Sequence, residues 1–331
     1  MKIIKKNIKW IILITALLFV PAIAPSSYIM QIVANILLYI ILAMGLNLLT
    51  GFTGILSLGH AAFFGLGAYT AAILNTRFGM PFPVTLICAV VVTGVAGVLL
   101  AIPSLRVKGS YLVLLTIGFG EVVRLILINW VDFTKGPSGI IGIQYPDFGI
   151  FKLDSLYLCY YLILFFVVIL MVYQIILMKS RVGRAMLAIR DDDNAAELCG
   201  IDIARYKIKA FVISAVYCAI AGCLYAHVIR YVSPDSFRGE ESQIILCCVI
   251  VGGMATFKGP VIGAFLLTML PEILRGLDNF RMVLYGIMLI IVIIFFPGGI
   301  AGYLDRFKVY LKKKTGKMKG GAEPHKGGGR L

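Results

Sequence analysis

The chain has 331 residues, of which 60% are hydrophobic and 14% charged, with a mean hydropathy of +0.96. Soluble domains carry roughly 25% charged residues, so this composition excludes a globule covered by water on all sides. The formal net charge of +15 does not mark a nucleic-acid surface, because the basic residues sit in clusters beside apolar runs, the pattern of the positive-inside rule.

A helical span needs about 20 mostly apolar residues to cross a hydrocarbon core about 30 Å thick. In chain order, candidate spans fall at about 10–25, 29–49, 55–76, 83–102, 110–130, 155–178, 208–231, 243–257, 260–275 and 281–298. The first follows Lys2, Lys5, Lys6 and Lys9 and ends at Ala22-Ile23-Ala24. That pattern imitates a signal peptide, but a retained first span is the reading adopted here. The eighth and ninth are short and are split by Phe257-Lys258-Gly259-Pro260, so they form either two spans or one re-entrant hairpin. The expected fold is an all-α, polytopic transmembrane helix bundle of about 8–10 spans. The even count puts both termini on one side. Basic residues at 103–109, 179–207 and after 304 make that side the cytoplasm. One membrane domain then covers 1–303, and the Lys- and Gly-rich segment 304–331 reads as a disordered cytoplasmic tail, able to meet anionic membrane lipid.

Six of the seven cysteines lie in apolar runs and none has CxxC spacing. They read as small packing residues, and no disulfide framework, metal or other cofactor is expected. Three polar features stand out in the spans and outer loops. Around Gly51, Gly54, Ser57, His60 and Gly65, glycines and polar groups at membrane depth allow either a broken helix beside a substrate path or simple close packing with His60 bonded to a neighbour. Asn47 precedes this run. Glu121 and Arg124 share a helix face as an ion pair that is structural, gates, or takes part in transport. Asp235, Arg238, Glu240 and Glu241 form a charged rim after a span, either solvated or docking an external protein. A short echo relates Leu66–Leu74 to Ile262–Leu270, as in transporters built from repeats.

The longest basic loop, 180–201, is not linker-like. Its Ala, Met and Leu residues favour helix. Asp193 or Asn194 can cap a short helix through Glu197, and Gly200 can close it. A small-residue face flanked by charges suits a groove on a partner. The run Asp191-Asp192-Asp193 does not read as a metal site, because consecutive carboxylates on a helix diverge.

Two segments resemble permease subunits of branched-chain amino-acid ABC importers, LivM-type: Gly183-Arg184-Ala185 through Ala195-Ala196-Glu197-Leu198-Cys199-Gly200-Ile201, and Gly45-Leu46-Asn47-Leu48-Leu49-Thr50-Gly51 through Gly65-Leu66-Gly67-Ala68-Tyr69. The resemblance runs from about residue 30 to 303. It implies a multi-pass bacterial inner-membrane protein that is not an enzyme and works beside a second, different permease subunit, two cytoplasmic ATP-binding subunits and a periplasmic substrate-binding protein. It implies ATPase coupling through Gly183, Arg184, Ala185, Ala188, Arg190, Asp191, Ala195, Ala196, Glu197 and Gly200, with leucine, isoleucine or valine as substrate and urea or short amides as the alternative. The substrate path is expected at Asn47, Gly51, Gly54, Ser57, His60, Gly65 and Glu121, and binding-protein docking at Asp235, Arg238, Glu240 and Glu241. The absence of a GxxxxGK[ST] phosphate loop agrees with ATP hydrolysis elsewhere. An ion-gradient transporter is the rival from another class, with Glu121 and Glu272 as its coupling carboxylates. A lipid-modifying enzyme would need a catalytic cluster that the sequence does not offer.

Overall fold

The computed structural model describes residues 26–107, 109–149, 152–273 and 298–303, with isolated positions at 21, 286, 290 and 294. The first predicted span, nearly all of the last, and the tail from 304 lie outside the described residues. Within them the chain is an all-α bundle, with five helices long and apolar enough to cross a membrane.

These are α1 (Ser27–Leu46), extended by a π turn over Asn47–Gly51, α3 (Phe82–Ser104), α4 (Ser110–Asn129), α5 (Leu156–Lys179) and α8 (Ile203–Ile229). Helix α2 (His60–Phe78) is less apolar and lies inside the bundle. Helices α9 (Gly239–Gly252) and α10 (Gly259–Ile273) form a hairpin of two short helices. The starts follow local chemistry: the Ser26, Ser155 and Asp202 side chains accept backbone amides of Ile29, Leu158 and Arg205, each satisfying a donor the first turn would leave orphaned.

Helices α1 and α8 are mostly buried and form the centre, with α2, α3 and α10 against them. Helix α4 is peripheral, with 17% of its most apolar stretch buried. Close packing depends on glycine where backbones meet. A Cβ on Gly222 of α8 would lie 2.3 Å from the Phe64 carbonyl of α2, and one on Gly263 of α10 would lie 1.8 Å from the Cys248 carbonyl of α9. With apolar lipid as solvent, such van der Waals contact is a main source of helix association.

Two expected boundaries change, and both matter. The third predicted span begins at His60, not 55; residues 54–59 are an extended strap. The predicted outer loop 232–242 is not a rim either. Helix α8 ends at Ile229 beside a two-residue sheet in which β1 (Ile140–Ile141) pairs with β2 (Tyr231–Val232). From there the chain turns back inward. Tyr39, the middle residue of the 25-residue run Ser27–Gly51, donates to Glu241 Oε2 at 2.6 Å, so α9 starts halfway along α1. Helix α10 returns toward the start of α1, where Tyr28 bonds to Glu272. In the hairpin, α9 therefore begins beside the middle of α1 and α10 ends beside its start.

Candidate functional site

Two helices thus begin inside the bundle, and they begin beside each other. The Ala61 amide in the first turn of α2 donates to Ser242 Oγ in the first turn of α9 at 2.9 Å. From that point α2 runs toward the sheet, where Asn75 Oδ1 accepts from the Gln144 amide, and α9 runs the opposite way to Ala255, whose amide donates to Asn47 Oδ1 at 2.9 Å.

Several polar backbone groups of the strap that leads into α2 are hydrogen-bonded. Gly54, at φ +76, makes the left-handed turn that glycine adopts at no steric cost. Thr50 Oγ1 donates to the Ile55 carbonyl at 3.0 Å, and the Leu58 amide donates to Thr116 Oγ1 of α4 at 3.0 Å. The Gly59 amide donates to Ser57 Oγ at 3.3 Å. Non-helical backbone at membrane depth persists only when covered in this way. The broken helix, one of the two readings the glycines allowed, is therefore present, and Thr50 and Thr116, which the sequence reading did not single out, hold it.

Of the residues predicted for a path, Asn47, Ser57 and His60 are fully buried. Asn47 Nδ2 donates to the Thr256 carbonyl at 2.9 Å, completing its clamp on the turn of the α9–α10 hairpin. Gly51 lies against that clamp, and Gly65 lies against the Phe237 ring. His60 Nε2 is 2.6 Å from Ser214 Oγ, which donates to the Gly45 carbonyl at 2.8 Å. This chain ties the start of α2 through α8 to α1. Removing the Ser214 hydroxyl strands two buried groups at about 1–3 kcal/mol. Ser214→Ala is therefore expected to lower the melting temperature in detergent, with Thr76→Ala as a control whose hydroxyl bonds only within its own helix.

Glu121 is set apart from these. Its side chain is 48% exposed and pairs with Arg124 at 3.4 Å. Arg124 also reaches Asp235 at 3.5 Å, and Asp235 pairs with Arg238 at 2.8 Å. Three of the four predicted docking residues (Asp235, Arg238 and Glu240) are thus brought to the α4 face beside Glu121 rather than to a rim. The fourth, Glu241, turns inward to Tyr39.

The loop 180–201 forms two helices, α6 (Arg181–Asp191) and α7 (Asp193–Leu198). Asp192, one residue before the expected cap, accepts the Asn194 and Ala195 amides at 2.8 and 3.1 Å. Gly200 takes a φ of +81 and ends the turn as expected. The predicted coupling residues split. Gly183, Ala185 and Ala196 are buried against the chain's own bundle, whereas Ala195, Glu197 and Gly200 are exposed. Ala196 is 3% exposed and Leu198 is 90% exposed. The outward anchor of α7 is therefore leucine, which the sequence reading counted only as a helix former. The loop is pinned to the spans: Arg190 Nη1 donates to the Gly51 carbonyl at 3.3 Å, and Lys207 of α8 pairs with Asp193 at 2.7 Å.

Residues 28–293 match the family described as branched-chain amino acid transport system / permease component. The chain belongs to this family. It is 35% identical over 307 residues to the high-affinity branched-chain amino acid transport system permease protein LivM of Salmonella typhimurium (strain LT2), covering 86% of this chain and 72% of that one. The LivM of Escherichia coli (strain K12) matches at the same identity and coverage. A probable LivM of Methanocaldococcus jannaschii is 22% identical over 86% of this chain and 96% of its own. No solved structure matches. With its apolar helices, the chain is a multi-pass inner-membrane permease component of an ABC transporter.

Proposed function

We propose that this chain is the permease of an importer that moves leucine, isoleucine and valine across the membrane, driven by ATP hydrolysis in separate subunits. It works beside a second permease, with two ATP-binding subunits under α6 and α7 and a binding protein at the opposite end. Both termini lie with α6 and α7 in the cytoplasm, the side that gathers the basic residues.

The observation that carries this reading is the double anchorage of α6–α7. One residue, Ser180, links α5 to α6. Arg190 holds the π turn at Gly51 and packs on Gly54. Asp193 holds α8 through Lys207. A displacement of the loop therefore pulls on α5, α8 and the strap together. The strap leads to His60, and the π turn leads through Asn47 to the α9–α10 turn. Force applied at the loop is thus delivered to both half-depth helices. The rival ion-coupled reading needs embedded carboxylates; of its two candidates, Glu121 is half exposed beside Arg124 and Glu272 bonds to Tyr28.

The test is the four-component assembly in proteoliposomes. Leucine uptake is expected to require ATP and the loaded binding protein. Uptake abolished by a protonophore and indifferent to ATP overturns the mechanism. ATP-driven uptake of urea or a short amide, with leucine refused, overturns the substrate.

A further inference from the structure

At the junction of α2, α4 and α9 an open depression adjoins a small cavity, and the two share Glu121, Gly239 and Gln243. The larger, about 420 Å³, is walled by Glu121, Arg124, Arg238, Gly239, Glu240 and Gln243. Two carboxylates and two guanidinium groups face one space, and the Asp235 carboxylate lies against both guanidinium groups from outside it. The smaller, about 50 Å³, runs from it between Leu58, Ala61, Ile117 and Phe237.

Pairing within the cluster is incomplete. Asp235, outside the wall of the depression, engages both guanidinium groups. Glu121 keeps only the long 3.4 Å contact to Arg124, and Glu240 has no ion pair among the described residues. Arg124 Nε is buried with no protein partner. Charges at half-depth in a bundle are costly and persist when they serve a partner of opposite sign. A ligand carrying one positive and one negative group satisfies both kinds at once.

The slot sets the rest of the ligand. A water-sized group needs about 10–15 Å³ of cavity on this measure, so the slot holds roughly three to five such groups. A valine side chain has three carbons and a leucine or isoleucine four. Walls of Leu58, Ile117 and Phe237 suit aliphatic carbon.

We infer that the depression and the cavity form one half-way station for a zwitterionic aliphatic amino acid. Glu121 and Glu240 take the ammonium, Arg124 and Arg238 the carboxylate, and the slot beside Ile117 takes the side chain. The inference rests on the import reading above and names the place in this chain where the substrate pauses.

The experiment measures the ratio of leucine to valine uptake in proteoliposomes holding the whole importer. Ile117 is 38% exposed, so substitutions there leave the core intact. Ile117→Phe narrows the slot and is expected to lower leucine uptake about ten-fold relative to valine, since one methylene in an apolar pocket is worth roughly 10-fold or more. Ile117→Ala widens it and is expected to shift the ratio the other way. A general loss of folding lowers both uptakes and leaves the ratio alone, so either variant suffices if the other fails to assemble. Glu121→Gln is expected to raise KM for both amino acids. Wild-type ratios in both Ile117 variants overturn the station. A wild-type importer that refuses leucine altogether overturns the import reading instead.

Discussion

Leu198→Arg is expected to abolish the stimulation of ATP hydrolysis by leucine-loaded binding protein while leaving the permease folded. Leu198 is 90% exposed at the end of α7. An isolated leucine held out on a capped helix contributes almost nothing to the fold of its own chain. Seated in an apolar pocket of an ATPase subunit, it contributes about 1.5–3 kcal/mol, and interfaces commonly concentrate their energy in a few such anchors. Arginine there removes that term and asks the pocket to desolvate a charge. Affinity between the subunits should drop by one to two orders of magnitude. Ala196→Arg is the instructive contrast. Ala196 is 3% exposed on the bundle-facing side of α7, so a large charge there lifts the helix off the bundle. It should lower the melting temperature as well as coupling, where Leu198→Arg lowers coupling alone. The measurement is ATP hydrolysis of the reconstituted complex beside thermal melting of the permease in detergent. Unchanged stimulation in Leu198→Arg would remove α7 as the contact.

The contrast between those two positions shows what sequence reading supplies and where it stops. Composition and apolar run lengths were enough for an all-α polytopic bundle, because continuous apolar runs of about 20 residues fit helical spans and not the shorter, alternating strands of a barrel. Residues Gly51 to His60 were legible as a break because glycines and polar groups interrupt an apolar run there. The second half-depth start was not legible. Asp235, Arg238, Glu240 and Glu241 look like any exposed turn in one dimension. Only the contact of Tyr39 with Glu241 shows that the chain has turned inward. A period-based reading of α7 likewise distinguishes faces but not which face meets the bundle. Six residues are too few for that, and the small residues that suggested an outward surface serve partly to seat α7 on its own chain. Ser214, Ser242 and Thr116 were missed because single hydroxyls in apolar helices usually bond within their own turn. Here each bonds across elements and fixes where α2 and α9 begin.

Gly263→Val is expected to leave little or no folded protein, and Gly263→Ala to destabilise it severely. The reason is the approach of α10 to α9. An alanine Cβ at 263 would sit 1.8 Å from the Cys248 carbonyl oxygen and 2.7 Å from its carbon, distances that no rotamer change relieves because the obstacle is backbone. Overpacking a core by a methylene costs typically 1–3 kcal/mol when side chains can yield; here two helices must separate. Separation also carries the α9–α10 turn away from Asn47, which holds both the Ala255 amide and the Thr256 carbonyl. Total stabilities of about 5–15 kcal/mol leave small room for losing both. Gly94 of α3 supplies the control. A Cβ there meets nothing within 4 Å, so Gly94→Ala should be neutral or gain up to about 1 kcal/mol from helix propensity. Monodisperse yield by size-exclusion chromatography and thermal melting should rank Gly94→Ala near wild type, Gly263→Ala far below it and Gly263→Val at the bottom. A Gly263→Ala protein that melts with the wild type would mean that α9 and α10 do not pack at this distance. The half-depth start of α9, on which the zwitterion station depends, would then lose the hairpin that supports it.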